Sequence, residues 1–161
     1  MSERMEWRDL SLLVVLLGLG LFFGLLAPQY LSARNLSMLT IEFAITSVLS
    51  LGMLLVILPG HIDLSAGSGV GLIGGVTAVL IMRYSFPAEL AMVIGIGLAL
   101  LLWWVQGFII VSQGIPAFII TLGGLLAWKG LFWLTIRNQT VPVSPGGHEN
   151  LLSVLTTTYL P

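Results

Sequence analysis

The chain has 161 residues, of which 57% are apolar and 8% charged, with a net charge of −1 and no cysteine. Soluble domains average about 25% charged residues, so a water-soluble core of this length cannot hide so much apolar surface. A net charge near zero excludes bulk attraction to nucleic acid, and the lack of cysteine excludes disulfides, thiol nucleophiles and thiolate metal sites.

Residues 1–9 form a polar N-terminal segment that mixes Arg4 and Arg8 with Glu3, Glu6 and Asp9. Five apolar stretches then follow, and crossing a hydrocarbon core of about 30 Å takes about 20 such residues. The expected spans are 10–27, 36–58, 63–82, 88–111 and 115–136. The fold expected is therefore all-α, a polytopic transmembrane helix bundle of about five spans between residues 10 and 136. A polar extramembrane tail over 137–161 completes it.

The first span is too long for a signal-peptide core, and Ala27-Pro28-Gln29 makes a poor cleavage site, so it reads as a retained span. Gly20 and Gly24 in it form a weak packing pair. The second span carries Glu42 roughly one and a half turns inside. An ionisable group there is either at headgroup level or a functional candidate. The pair Pro59-Gly60 stops this span. Only His61 and Ile62 separate it from Asp63, so the connection is either a turn between spans or a break at membrane depth, where backbone groups need local partners.

Asp63 and Ser65 are both good N-caps for the third span, and the carboxylate also suits that helix's positive end. Gly67, Gly71 and Gly75 recur every four residues along it and are expected to make one flat stripe for close helix packing. Ser68 lies beside them. Trp103 and Trp104 sit well inside the fourth span. The fifth opens at Gly114-Ile115-Pro116, where proline suits a first helical turn. Thr121 in it is expected to bond to a carbonyl of its own helix, and Gly123 to serve helix packing. Lys129 snorkels toward the interface in preference to pairing with Glu42, which suits Trp128 and Trp133 nearby. In the tail, residues 151–155 can form a short surface helix.

No nucleophile–base pair presents itself, so catalysis is not expected. His61, His148 and Glu149 are the only conceivable metal-ligand mixture, but they lack helical spacing and no metal is expected. No G-x-x-x-x-G-K-[ST] loop occurs, so the chain does not power transport by itself.

Three strings are familiar. Tyr30-Leu31-Ser32-Ala33-Arg34-Asn35 precedes the second span, and Gly60-His61-Ile62-Asp63-Leu64-Ser65-Ala66-Gly67-Ser68 opens the third. The fifth contains Ile115-Pro116-Ala117-Phe118-Ile119-Ile120-Thr121-Leu122-Gly123-Gly124, followed by Leu125-Leu126-Ala127-Trp128-Lys129-Gly130. In this order and spacing the chain, from about residue 30 to 161, resembles the permease subunit of bacterial monosaccharide ABC importers of the ribose, xylose and galactose type. Ala127-Trp128-Lys129-Gly130 and the closing Tyr159-Leu160-Pro161 look closest to xylose permeases.

The resemblance implies a translocation path in the inner membrane, formed with a second permease subunit. Cytoplasmic ATP-binding subunits would drive it and a sugar-binding protein would supply the monosaccharide, a pentose by this likeness. The permease itself would bind no cofactor and catalyse nothing, since ATP is used by the partner ATPase. It also favours an N-terminus inside, which the loop arginines Arg34, Arg83 and Arg137 do not by themselves support.

Path or gating roles then fall to Glu42, Asp63, Ser65, Ser68 and Thr121, and helix breaks or caps to Pro59, Gly60, Asp63 and Pro116. The family commonly has small residues and Asn-Gly in the fourth span, where this chain has Trp103-Trp104-Val105-Gln106-Gly107; that bulk is expected to narrow or reshape the path. Family permeases are much longer, so the chain is expected to be an N-terminal portion. Two other readings stay open. One is a fragment of an ion-coupled secondary transporter using Glu42 and Asp63 as proton or cation sites. The other is a non-transporting membrane interaction subunit that needs only its packing faces.

Overall fold

A computed structural model describes residues 7–27, 29–144 and 150–157, with the backbone alone for 7–10 and 155–157. Residues 1–6, Pro28, His148, Glu149 and the closing Tyr159-Leu160-Pro161, on which several expectations above fall, lie outside the described residues. The described residues form six helices: α1 (Trp7–Leu26), α2 (Ala33–Ile57), α3 (Ala66–Tyr84), α4 (Ala88–Gln113), α5 (Ala117–Ile136) and α6 (Leu151–Thr157). Four of them, α2 to α5, are long and apolar enough to cross a membrane; the described apolar stretch of α1, Ser11–Leu26, is shorter.

The chain divides into two compact units at Ala44. In the first, α1 gives way to a tight turn in which the Tyr30 amide donates to the Ala27 carbonyl at 2.9 Å. Ser32 then caps α2. Its Oγ accepts the Asn35 amide at 3.3 Å, the reach expected from an N-cap to the third helical residue. This cap explains why α2 begins earlier than the apolar run does. Phe23 stacks near Tyr30 with ring centres 6.0 Å apart. Glu42 is exposed on α2 within this unit.

The second unit runs from Ile45 to Thr158. Here α3 packs on both α4 and α5 and carries more of the described buried residues than any other helix: Ala66, Gly69, Leu72, Gly75, Thr77, Ala78, Val79 and Ile81. Small side chains explain this central position, because they let neighbouring backbones come close where no hydrophobic force acts between helices. A Cβ at Gly75 would stand 2.9 Å from the Phe132 ring of α5, and one at Gly69 would run into the Trp103 ring of α4.

The stripe expected at Gly67, Gly71 and Gly75 is not one seam. A Cβ at Gly67 or Gly71 would meet nothing within 4 Å, and Gly67 is exposed. Each four-residue step rotates a helix position by about 40°, so over eight residues the row turns away from any one neighbour. Likewise the glycine of α5 that sits in a seam is Gly124, not the expected Gly123, which faces open space.

Large apolar side chains such as Val111 and Leu134 stand 83% and 75% exposed on the outside of this unit. Such surface is intolerable in water and natural against lipid.

At the end of the bundle formed by the α3–α4 turn, the tail comes back onto the helices. Asn150 caps α6: its Oδ1 accepts the Ser153 amide at 2.9 Å, while Ser153 Oγ accepts the Asn150 amide at 2.8 Å. This reciprocal pair has the logic of a capping box. It lets Leu152 pack on the cluster of Ile81, Ala88 and Ala91. The short helix is thus attached to the bundle rather than standing alone on a surface.

Arg83, in the last turn of α3, donates to the Ile136 carbonyl at 3.0 Å and to Gln139 Oε1 at 3.3 Å. It places a cation at the negative end of α5. Arg83→Ala is expected to cost about 1 kcal/mol, read as a fall of a few degrees in thermal unfolding in detergent.

Candidate functional site

Helix α2 ends where the sequence places a proline and a glycine. Gly60 takes φ +87°, a conformation open to glycine. Its amide donates to the Ile57 carbonyl at 2.8 Å, and the His61 amide donates to the Val56 carbonyl at 3.2 Å. These two bonds make a Schellman end. The chain then runs unwound through His61-Ile62-Asp63-Leu64 until α3 starts at Ala66. The second such turn, between α4 and α5, is built on Gly114 at φ +62°, with Pro116 at the N-cap of α5 rather than in its first turn.

The unwound stretch is held by side chains. Asp63 Oδ1 accepts the Ser65 amide at 2.7 Å and the Ser65 hydroxyl at 2.6 Å, while Oδ2 accepts the indole N–H of Trp103 at 3.0 Å. Ser65, fully buried, in turn accepts Gln106 Nε2 at 3.0 Å, and Gln106 is itself only 5% exposed. Gln106 Oε1 also lies 3.3 Å from the Ser65 hydroxyl, but that single hydrogen is better placed on the nearer Asp63 oxygen. Thr121 Oγ1 lies 3.2 Å from the carbonyls of both Ile62 and Phe118. It thus links the unwound chain to α5 while bonding to its own helix.

These contacts change the expected capping. Ser65 is the N-cap of α3, yet its side chain bonds none of that helix's free amides: its backbone is already in the right-handed helical region, at φ −86° and ψ −14°, and its hydroxyl oxygen accepts Gln106 Nε2 instead. Asp63 bonds the amide of the cap residue instead of one inside the helix. Ser68 Oγ donates back to the Ser65 carbonyl at 2.9 Å and tightens the first turn.

Asp63, Trp103, Gln106 and Thr121 line one side of a cavity of about 250 Å³ that also touches Val56 and His61. A wider cleft of about 510 Å³ lies next to it, between the turns at Gly60 and Gly114, and shares His61 and Ile62 with it. Another cavity, of about 550 Å³, is elsewhere, under the tail near Gly75, Phe132 and Val143. It lacks a comparable convergence of buried polar side chains, and a few convergent polar groups are what fix a small ligand.

Of the residues singled out from sequence, Asp63, Ser65 and Thr121 converge here, with Ser68 one turn away. Lys129 is exposed on α5. Trp103 and Gln106 are the partners of Asp63 and Ser65; the sequence marked both only as part of the bulky stretch expected to narrow or reshape the path, not as site residues. Gln106 carried a readable signal, since a polar amide inside an apolar helix calls for a partner, and its three-residue spacing from Trp103 puts both on one face. Trp104 points the other way, 66% exposed and stacked on Phe108 at 5.7 Å. Gly124 closes the back of the network. A Cβ there would stand 3.1 Å from each of Gln106 Nε2, Ser65 Cβ and Trp128 Nε1.

The chain is 41% identical over 132 residues to the xylose transport system permease protein XylH of Escherichia coli K12, a match covering 82% of this chain and 33% of that protein. It is homologous to sugar import permeases. The fructose import permease protein FrcC of Rhizobium meliloti is 31% identical over 130 residues, 81% of this chain and 36% of that protein. The autoinducer 2 import system permease protein LsrC of Enterobacter sp. strain 638 is 33% identical over 162 aligned positions, 91% of this chain and 46% of that protein.

The chain thus spans about a third of the length of the xylose permease it matches. A match of 132 residues within 161 takes in the whole stretch from Asp63 to Thr121 wherever it begins. No family model and no solved structure matches the chain. The homology to permeases, together with four apolar helices of spanning length, identifies a multi-pass membrane protein.

Proposed function

We propose that this chain is translocation-path sequence of an ABC importer permease for a monosaccharide, with a pentose as the solute. The observation that carries this is the 41% identity to a xylose permease across the segment that holds the Asp63 network. The chemistry of that network agrees with it. A neutral sugar is held by hydrogen-bond donors and acceptors, and the cavity offers a carboxylate, an amide, a hydroxyl, an indole N–H and the His61 imidazole. The chain would itself catalyse nothing and bind no cofactor. It would sit in the inner membrane beside a second permease subunit, take sugar from a binding protein, and be driven by cytoplasmic ATP-binding subunits.

The test is the energy source of uptake. Cells carrying the gene in its native operon are expected to accumulate radiolabelled xylose. Accumulation should stop when the ATPase partner is inactivated and continue when a protonophore collapses the proton gradient. Uptake that survives loss of the ATPase and follows the proton gradient would overturn this reading.

A further inference from the structure

The two oxygens of Asp63 have partners of different kinds. Those of Oδ1, the amide and hydroxyl of Ser65, come from its own turn two residues on. They are kept in place by local backbone geometry. The partner of Oδ2 is a single indole N–H from another helix, forty residues away. That bond depends on one side chain with two rotatable torsions, and a carboxylate oxygen can accept more than one donor. Oδ2 is therefore the exchangeable side of the carboxylate, and the cavity of about 250 Å³ touches both partners of this bond.

The rest of the cavity says what could exchange. Its volume lies below the roughly 300–1,000 Å³ of sites for drug-sized ligands, so it suits a small one. No lysine or arginine lines it; His61 is its one basic side chain, and the Asp63 carboxylate disfavours an anion there. Its polar groups both donate and accept, which matches a hydroxyl.

We propose that this cavity is a subsite for a hydroxyl of a neutral sugar or polyol, and that the entering hydroxyl displaces the Trp103 indole N–H from Asp63. The proposal rests on the permease reading above and adds to it the residue that yields to solute. Without solute, Trp103 occupies Oδ2 and its ring lies against the bare backbone of Gly69, where an added Cβ would stand 2.8 Å from Cζ2. With solute, an O–H···O⁻ bond replaces an N–H···O⁻ bond of the same charge-assisted kind, and Gln106 lies within reach of a neighbouring hydroxyl. Trading like for like keeps the net affinity low, as a passage site requires if solute is to leave it.

The experiment uses the protein in nanodiscs with fluorotryptophan in place of tryptophan. Trp103→Phe identifies the Trp103 resonance in the fluorine NMR spectrum. Titration with xylose, and with fructose and glycerol as further neutral probes, is expected to move that resonance, while gluconate is not. Saturation-transfer NMR of the sugar supplies the affinity. Trp103→Phe keeps a ring but removes the competing N–H. It should tighten xylose binding by up to about tenfold, the equivalent of one charge-assisted bond, whereas Gln106→Leu should weaken it by a similar factor. A tryptophan with a purely structural role would give unchanged or weaker binding when replaced by phenylalanine.

If the protein imports sugar but the Trp103 resonance stays still with all three neutral probes, or if Trp103→Phe binds no tighter, the proposal is overturned and the permease reading survives. If the resonance moves with a neutral probe but no ATPase-dependent uptake occurs, the permease reading fails and the hydroxyl subsite stands.

Discussion

Asp63→Ala is expected to reduce sugar uptake by about a hundredfold while the protein still reaches the membrane. The alanine leaves three donors without their acceptor: the Ser65 amide, the Ser65 hydroxyl and the Trp103 indole N–H. A buried donor left unpaired costs about 1–3 kcal/mol, and about 1.4 kcal/mol is a factor of ten in an equilibrium. The loss falls on the unwound stretch between α2 and α3, since the apolar helices on either side need no help from Asp63 to stay in lipid. Asp63→Asn is expected to be milder, near tenfold, because one amide oxygen can still serve Ser65 while its NH₂ confronts the Trp103 donor. The check is the initial rate of radiolabelled uptake normalised to membrane abundance by immunoblot. An alanine variant working at the wild-type rate would remove Asp63 from the site.

Gly124→Leu is expected to abolish accumulation of folded protein, whereas Gly123→Leu, one residue earlier, leaves it unchanged. A Cβ at 124 would sit 3.1 Å from the N-cap residue of α3 and from groups on α4 and α5 at once, and leucine adds three further carbons to it; at 123 there is nothing within 4 Å. Overpacking a filled seam typically costs about 1–3 kcal/mol and at times more. Here it would also pry Gln106 from Ser65 and leave the buried Gln106 amide without that partner. The measurement is the yield of monodisperse protein by fluorescence-detected size exclusion of each variant in the same detergent. Equal yields would mean that the seam between α5 and the Asp63 network is not as tight as described.

Much of the architecture was legible from the residues. Long apolar stretches announce helices that lipid must solvate, and Pro59-Gly60 and Gly114-Ile115-Pro116 mark breaks by backbone chemistry alone. Asp63, Ser65 and Thr121 stood out because polar groups at such depth need partners. The tail was less legible. Its capping pair, Asn150 and Ser153, is a spacing too common to single out, and the packing of Leu152 on Ile81, Ala88 and Ala91 joins residues more than 60 positions apart.

What the sequence determined by itself is the solvent, the approximate helix bounds and the places where helices stop, since all three follow from hydropathy and local backbone preference. What only the tertiary structure decided is which side of each helix faces protein. These helices are apolar all round, so no polar stripe records their rotation. Packing alone turned Gly69, Gly75 and Gly124 into seams and left Gly67, Gly71 and Gly123 open. The same rotation sent Trp104 outward and brought Trp103 and Gln106 to Asp63 and Ser65.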